Sequence, residues 1–207
     1  GVVLYGLLSS IFSVRAVSGQ KWLNEMSKKY RVSDLSGLST KQLFDKNGVN
    51  LQRYYFYNDP ADNAGKDSYQ NFLKQYKDSS RWTCNYINDD GVPYVHIISR
   101  ASGRRIEIYA NKLDNEDAGN KTITDILSKK KMEPAIIVYR GHSYQVEPDL
   151  NTTITRNVAL VFIGSCGGYN NIATVLRNAP QTHIISTKVT GSMYVNDPML
   201  RVLNDFI

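Results

Sequence analysis

Two stretches decide the fold: Ala135-Ile136-Ile137-Val138-Tyr139-Arg140-Gly141-His142-Ser143 and Val158-Ala159-Leu160-Val161-Phe162-Ile163-Gly164-Ser165-Cys166-Gly167-Gly168. Each begins with an apolar run of strand length, rich in β-branched residues and bounded by glycine. The apolar character is continuous rather than alternating. That pattern suits a strand buried on both faces, as in a parallel sheet covered by helices. In such sheets ligands gather just outside the carboxyl ends of the strands. His142 and Cys166 hold that position on two consecutive strands. The pattern therefore predicts an imidazole and a thiol facing one crevice.

Working outward, strand and helix signals alternate through the C-terminal half. The sequence predicts a helix over Thr122 to Lys131, the His142 strand, a short helix or loop over Glu147 to Thr155, and the Cys166 strand. A helix over Asn171 to Arg177, a strand over Thr182 to Thr187 and a helix from Met199, capped by Asp197-Pro198, follow. Such alternation argues for parallel order and right-handed crossovers. Asp114 to Asn120 reads as polar loop. Upstream, Leu51 to Tyr57 is a strand ending in the turn signal Asn58-Asp59-Pro60, and Asp67 is placed to cap a helix over Ser68 to Tyr76. Arg81 to Tyr109 mixes apolar and polar residues around Asn88-Asp89-Asp90-Gly91, a hairpin signature. The expected fold class is α/β, a three-layer sandwich whose mostly parallel central sheet carries an antiparallel hairpin at one edge. Residues 1–48 read as an N-terminal helical extension, with helical periodicity over Val2 to Tyr30 and a short helix capped by Ser39-Thr40. Residues 49–207 read as the α/β domain, cut short at Ile207 inside a helical pattern.

The bulk properties narrow the function classes. A chain of 207 residues favours one domain. The net charge is +6, yet the lysines are scattered apart from Lys129-Lys130-Lys131 at a helix end, so no nucleic-acid partner is expected. Val2 to Val17 is apolar but contains Ser9, Ser10, Ser13 and Arg15 and is short for a span, so no membrane partner is expected either. Cys84 and Cys166 form no CxxC, and His96, His142 and His183 lack metal-ligand spacing. Neither a metal nor another cofactor is called for.

A free thiol has a pKa near ~8.5, and a neighbouring imidazole or helix N-terminus lowers it. Cys166 is placed to have both. The backbone amides of Ser143, Cys166 and Gly167 are candidate donors to a tetrahedral oxyanion, each typically worth ~3–4 kcal/mol. Ser165 reads as support for the turn. His183 in THIIS and His96 in YVHIIS read as core histidines, and Cys84 reads as structural. Arg140 either meets an acidic group in the cleft or extends along the surface.

The order His142 then Cys166, each ending an apolar strand, resembles the caspase-like cysteine peptidases of clan CD. The segment VFIGSCGG looks most like the bacterial gingipain and clostripain branch. The resemblance covers Ala135 to Lys188, with Leu51 to Tyr57 as a first core strand. It implies a caspase-like sandwich, a thiol protease acting on a peptide or protein substrate, Cys166 as nucleophile and His142 as its proton carrier. It favours a secreted or cell-surface setting. Two features depart from the family pattern: Gly141 precedes His142 instead of following it, and the interval from His142 to Cys166 is compact. The family's first-pocket residues correspond to no assured position here. Asp59 and Asp62 are candidates for an acidic pocket, and Met193 and Tyr194 for its wall. A catalytically inactive scaffold of the same fold, and a glutamine-amidotransferase-like thiol hydrolase built on G-x-C-x-G with His183 downstream, stand as alternatives.

Overall fold

A computed structural model describes residues 39–207. The helix expected over Val2 to Tyr30 lies outside the described residues. Within them the chain forms helix α1 (Thr40–Leu43), strand β1 (Val49–Phe56), helix α2 (Ala64–Gln75), strands β2 (Trp82–Asn85), β3 (Tyr94–Ser99) and β4 (Arg105–Asn111), and helix α3 (Glu116–Lys130). There follow β5 (Ile136–Arg140), α4 (Ser143–Thr153), β6 (Leu160–Ile163), a 3-10 turn (Gly168–Asn171) running into α5 (Ile172–Asn178), β7 (His183–Ser186) and α6 (Met193–Phe206). The seven strands make one sheet in the order β2-β3-β4-β1-β5-β6-β7. Strands β4, β1, β5, β6 and β7 run parallel, while β3 pairs antiparallel with both β2 and β4. The protein is thus α/β with a mostly parallel sheet and an antiparallel edge.

The continuous apolar runs are explained by where alternate residues go. Tyr54, Phe56, Ile136, Val138, Leu160 and Phe162 pack on one face against α2 (Tyr69, Phe72) and α6 (Leu200). Tyr55, Ile137, Tyr139, Val161 and Ile163 pack on the other against α4 (Val146, Leu150) and α5 (Val175). Leu51 and Tyr109 extend that second face to Ile123 and Leu127 of α3. With period two and both faces covered, every residue of β1, β5 and β6 is buried. Polar residues in β1 are tied down. Gln52 Nε2 donates to Asn50 Oδ1 and Asn204 Oδ1, both at 2.7 Å, and Asn204 Nδ2 donates to Tyr76 Oη at 2.7 Å. This amide relay fixes α6 to the sheet.

Several helix starts differ from the sequence reading. Helix α2 begins at Ala64, and Asp67 sits in its first turn rather than at the cap. The polar stretch from Asp114 is not all loop: α3 starts at Glu116, with the Asn115 side chain accepting from Ala118 N. Glu116 and Asp117 then lie where carboxylates favour a helix N-terminus. Pro148 and Pro198 are inside α4 and α6, not at their boundaries. Each sits in the second turn, where proline forfeits one backbone bond without ending the helix. Among the described residues no helix is long and apolar enough to cross a membrane.

Candidate active site

Strands β5 and β6 are parallel neighbours in register, with Tyr139 opposite Ile163. Just past their carboxyl ends the chain turns at Gly141-His142 and at Gly164-Ser165-Cys166. His142 is the residue that caps α4, and Cys166 precedes the turn into α5. Both line one cleft of about 370 Å³, together with Asp62, Asp67, Ser68 and Met193. Cys166 is exposed and both cysteines are free thiols.

The His142 ring is held by carboxylates and by a stacked ring, and its backbone by Gln145. Its Nε2 lies 2.8 Å from Asp62 Oδ2 and 3.6 Å from Asp59 Oδ2. The Tyr144 ring stacks on it with centroids 5.5 Å apart and planes 5° from parallel. Gln145 fixes the backbone: its Oε1 accepts from His142 N at 3.0 Å and its Nε2 donates to Asn58 O at 2.8 Å. The tyrosine hydroxyl donates to Asp59 Oδ2, which holds the Asp59 carboxyl below its usual range; the Ala61 amide adds to the effect. The same bond raises the Tyr144 hydroxyl pKa. A carboxylate cannot donate, so Nε2 carries the proton towards Asp62, and a neutral ring keeps its lone pair on Nδ1.

Arg140 is not a surface group. It is buried beneath the cleft, with Nη2 2.7 Å from Asp197 Oδ1, Nε donating to Ser68 Oγ at 3.1 Å and Nη1 donating to Gly164 O at 2.9 Å. Burial lowers its pKa, and the Asp197 carboxylate opposes that. Asn196 Nδ2 donates to the same Gly164 carbonyl at 2.9 Å. The Cys166 turn therefore rests on a buried ion pair joining β5 to α6. A Cβ on Gly164 would fall 2.4 Å from Arg140 Nη1, so the guanidinium can lie there only beneath a glycine.

A loop of residues 187–192 closes over the thiol turn. Gly191 N donates to Cys166 Sγ at 3.3 Å, Tyr169 N donates to Thr187 O at 2.9 Å, and the Thr187 hydroxyl donates to Ser165 O. Ser165 thus supports the turn through its carbonyl; its buried hydroxyl has no partner among the described residues. A Cβ on Gly191 would meet Gly164 O at 2.4 Å and Cys166 N at 3.0 Å, which makes glycine a steric requirement here too.

The expected oxyanion donors separate. Ser143 is the first residue of α4, where a helix leaves its amides without an internal acceptor. Neither its N–H nor that of Cys166 donates to a group among the described residues. Gly167 does not share this property, because its N–H donates to Val189 O at 2.7 Å. It is committed to the loop and is not available to a substrate oxygen in this conformation.

The remaining expectations resolve as follows. Met193 lines the cleft, whereas Tyr194 is 81% exposed and borders a separate groove with Asn71 and Gln75. Asp59 and Asp62 face His142, and Asp62 also lines the cleft. Asp67 is the further carboxylate that lines the cleft. His96 pairs with Glu107 at 2.8 Å and stacks on Tyr109, as a satisfied interior histidine does. His183 is buried and pairs with Leu160 at the amino end of β6, so it stands at the opposite end of the sheet from Cys166. Cys84 donates to Tyr76 O, and burial raises its pKa.

Spacing along the chain hid one feature. The side-chain ligand atoms of Asp59, Asp62 and His142 lie within 4.8 Å of one another, a separation that a divalent cation can bridge. No protein-family model and no curated protein matches this chain.

Proposed function

We propose that the protein is a caspase-like cysteine endopeptidase of the gingipain and clostripain type. The observation that carries this reading is one cleft lined by Cys166 and by a histidine whose Nε2 is bound to Asp62. His142 Nδ1 takes the thiol proton, and the thiolate attacks the peptide carbonyl carbon. The developing oxyanion receives the Ser143 and Cys166 amides. Collapse breaks the C–N bond, and the imidazolium gives its proton to the leaving amine. A water, deprotonated by the same imidazole, then hydrolyses the thioester and restores the thiol. Asp62 is a positioning residue that fixes the tautomer.

Incubation with peptide acyloxymethyl ketones bearing Arg, Lys, Asn or Asp at the first position tests this by intact mass. The expected result is one adduct on Cys166 that is lost in His142→Ala. Absence of any adduct while iodoacetamide still alkylates Cys166 would sink the peptidase reading in favour of an inactive scaffold. The amidotransferase alternative lacks support, since it needs His183 near the thiol.

A further inference from the structure

At the other end of the sheet, four arginines surround one cavity of about 300 Å³. Arg100, Arg104 and Arg105 come from the β3–β4 hairpin, and Arg81 from the residue before β2. No acidic side chain lines the cavity. Two carboxylates reach the arginines from outside: Asp205 Oδ1 lies 2.9 Å from Arg81 Nη2, and Glu107 Oε2 lies 3.8 Å from Arg105 Nη2. Arg100 and Arg104 have no carboxylate partner among the described residues. The cavity thus concentrates positive charge that the sequence shows only as a scattered excess.

Three of the guanidiniums, although exposed, also rest on groups of the protein. Arg104 stacks over the Phe44 ring at 4.9 Å, Arg81 lies 6.0 Å over Trp82, and Arg100 Nε donates to Trp82 O at 3.4 Å. Planar forks of this kind match phosphate oxygens in pairs, and pre-ordering reduces the entropy lost on binding. The four arginines line one concave site, and its volume sits at the small end of small-molecule pockets. A stripe would be needed to track a nucleic-acid backbone.

We propose that this cavity binds a small, multiply phosphorylated anion through Arg81, Arg100, Arg104 and Arg105. The site is remote from the thiol cleft and does not depend on peptidase activity.

Titration calorimetry of the whole chain with inorganic tripolyphosphate tests it, using Arg100→Gln/Arg104→Gln and, as a charge-matched control, Lys74→Gln/Lys129→Gln. One equivalent should bind, and the arginine pair should weaken binding by about tenfold or more while the lysine pair leaves it unchanged. Arg104→Lys, which keeps the charge and loses the fork, should weaken it in part; this variant guards against misfolding of the double one. Equal weakening by the two double variants would mean diffuse surface charge and would overturn the proposal. So would tighter binding of a single-stranded oligonucleotide than of tripolyphosphate, or capture only by anionic phospholipid vesicles.

Discussion

Asp62 Oδ2 lies 2.8 Å from His142 Nε2, while the neighbouring Asp59 Oδ2 stands 3.6 Å from the same nitrogen and takes its hydrogen bond from Tyr144. Only one carboxylate can accept the single Nε2–H, so the two aspartates are not equivalent. On the peptidase reading, Asp62→Ala lowers kcat with little change in KM. The loss should stay below the ~10²–10⁴-fold that removal of the base itself costs. Asp59→Ala should cost less than Asp62→Ala. Steady-state kinetics on a fluorogenic peptide selected by the ketone panel makes the comparison, and a larger effect at Asp59 would reverse the assignment.

The Arg140–Asp197 pair is buried on both sides, at 4% and 8% side-chain exposure. Truncating one partner leaves the other charged and desolvated. Asp197→Ala is expected to destabilise the fold by about 3–5 kcal/mol, read from urea unfolding. Replacing both residues together, as Arg140→Met/Asp197→Leu, should cost less than the single change, since no orphan charge remains. A double variant less stable than Asp197→Ala would mean that the pair's hydrogen bonds to Ser68 and Gly164 matter more than its charge.

The positions of His142 and Cys166 were legible because the signal is local: an apolar run, a glycine, then a reactive side chain. The two-faced burial of β1, β5 and β6 was legible for the same reason. What steers those side chains was not. Asp62 lies 80 positions before His142, Asp197 lies 57 after Arg140, and Gly191 lies 25 after Cys166. Each is brought in by a crossover, and no spacing rule links them. Asp-Pro at 197–198 is a strong local boundary signal that points to a cap, yet the Asp197 carboxylate serves a buried arginine. Gly167 illustrates the converse. Its place beside the thiol suggests a free amide, and only the hydrogen bond to the Val189 carbonyl shows the amide already engaged.

Gly191 is where the loop of residues 187–192 reaches the thiol itself, its amide donating to Cys166 Sγ at 3.3 Å. Gly191→Ala would set a methyl 2.4 Å from Gly164 O, so the loop must shift. Overpacking of this kind costs about 1–3 kcal/mol. The shift also withdraws the Gly191 amide from the Cys166 sulfur, and alkylation of Cys166 by iodoacetamide at neutral pH should slow. Unfolding midpoints and alkylation rates measured together test the link. A destabilised variant whose alkylation rate is unchanged would show that the Gly191 amide does not assist the thiolate.

Acid should destabilise the fold in part through Glu107. Glu107 Oε1 lies 2.8 Å from His96 Nε2 and accepts from the Tyr109 hydroxyl at 3.1 Å. The bond from His96 is the main cause holding the Glu107 carboxyl below its ordinary value; burial opposes it. A carboxyl depressed in the folded state stabilises the fold at pH above its unfolded pKa of about 4.3. That contribution is lost as pH falls from there through the lower folded value, because the unfolded chain takes up the proton first. Urea midpoints measured between pH 6 and pH 3 should therefore fall more steeply for the wild-type chain than for Glu107→Gln, which carries no proton to bind. Parallel curves would show that Glu107 contributes nothing to the acid dependence and that the pairing with His96 is indifferent to its charge.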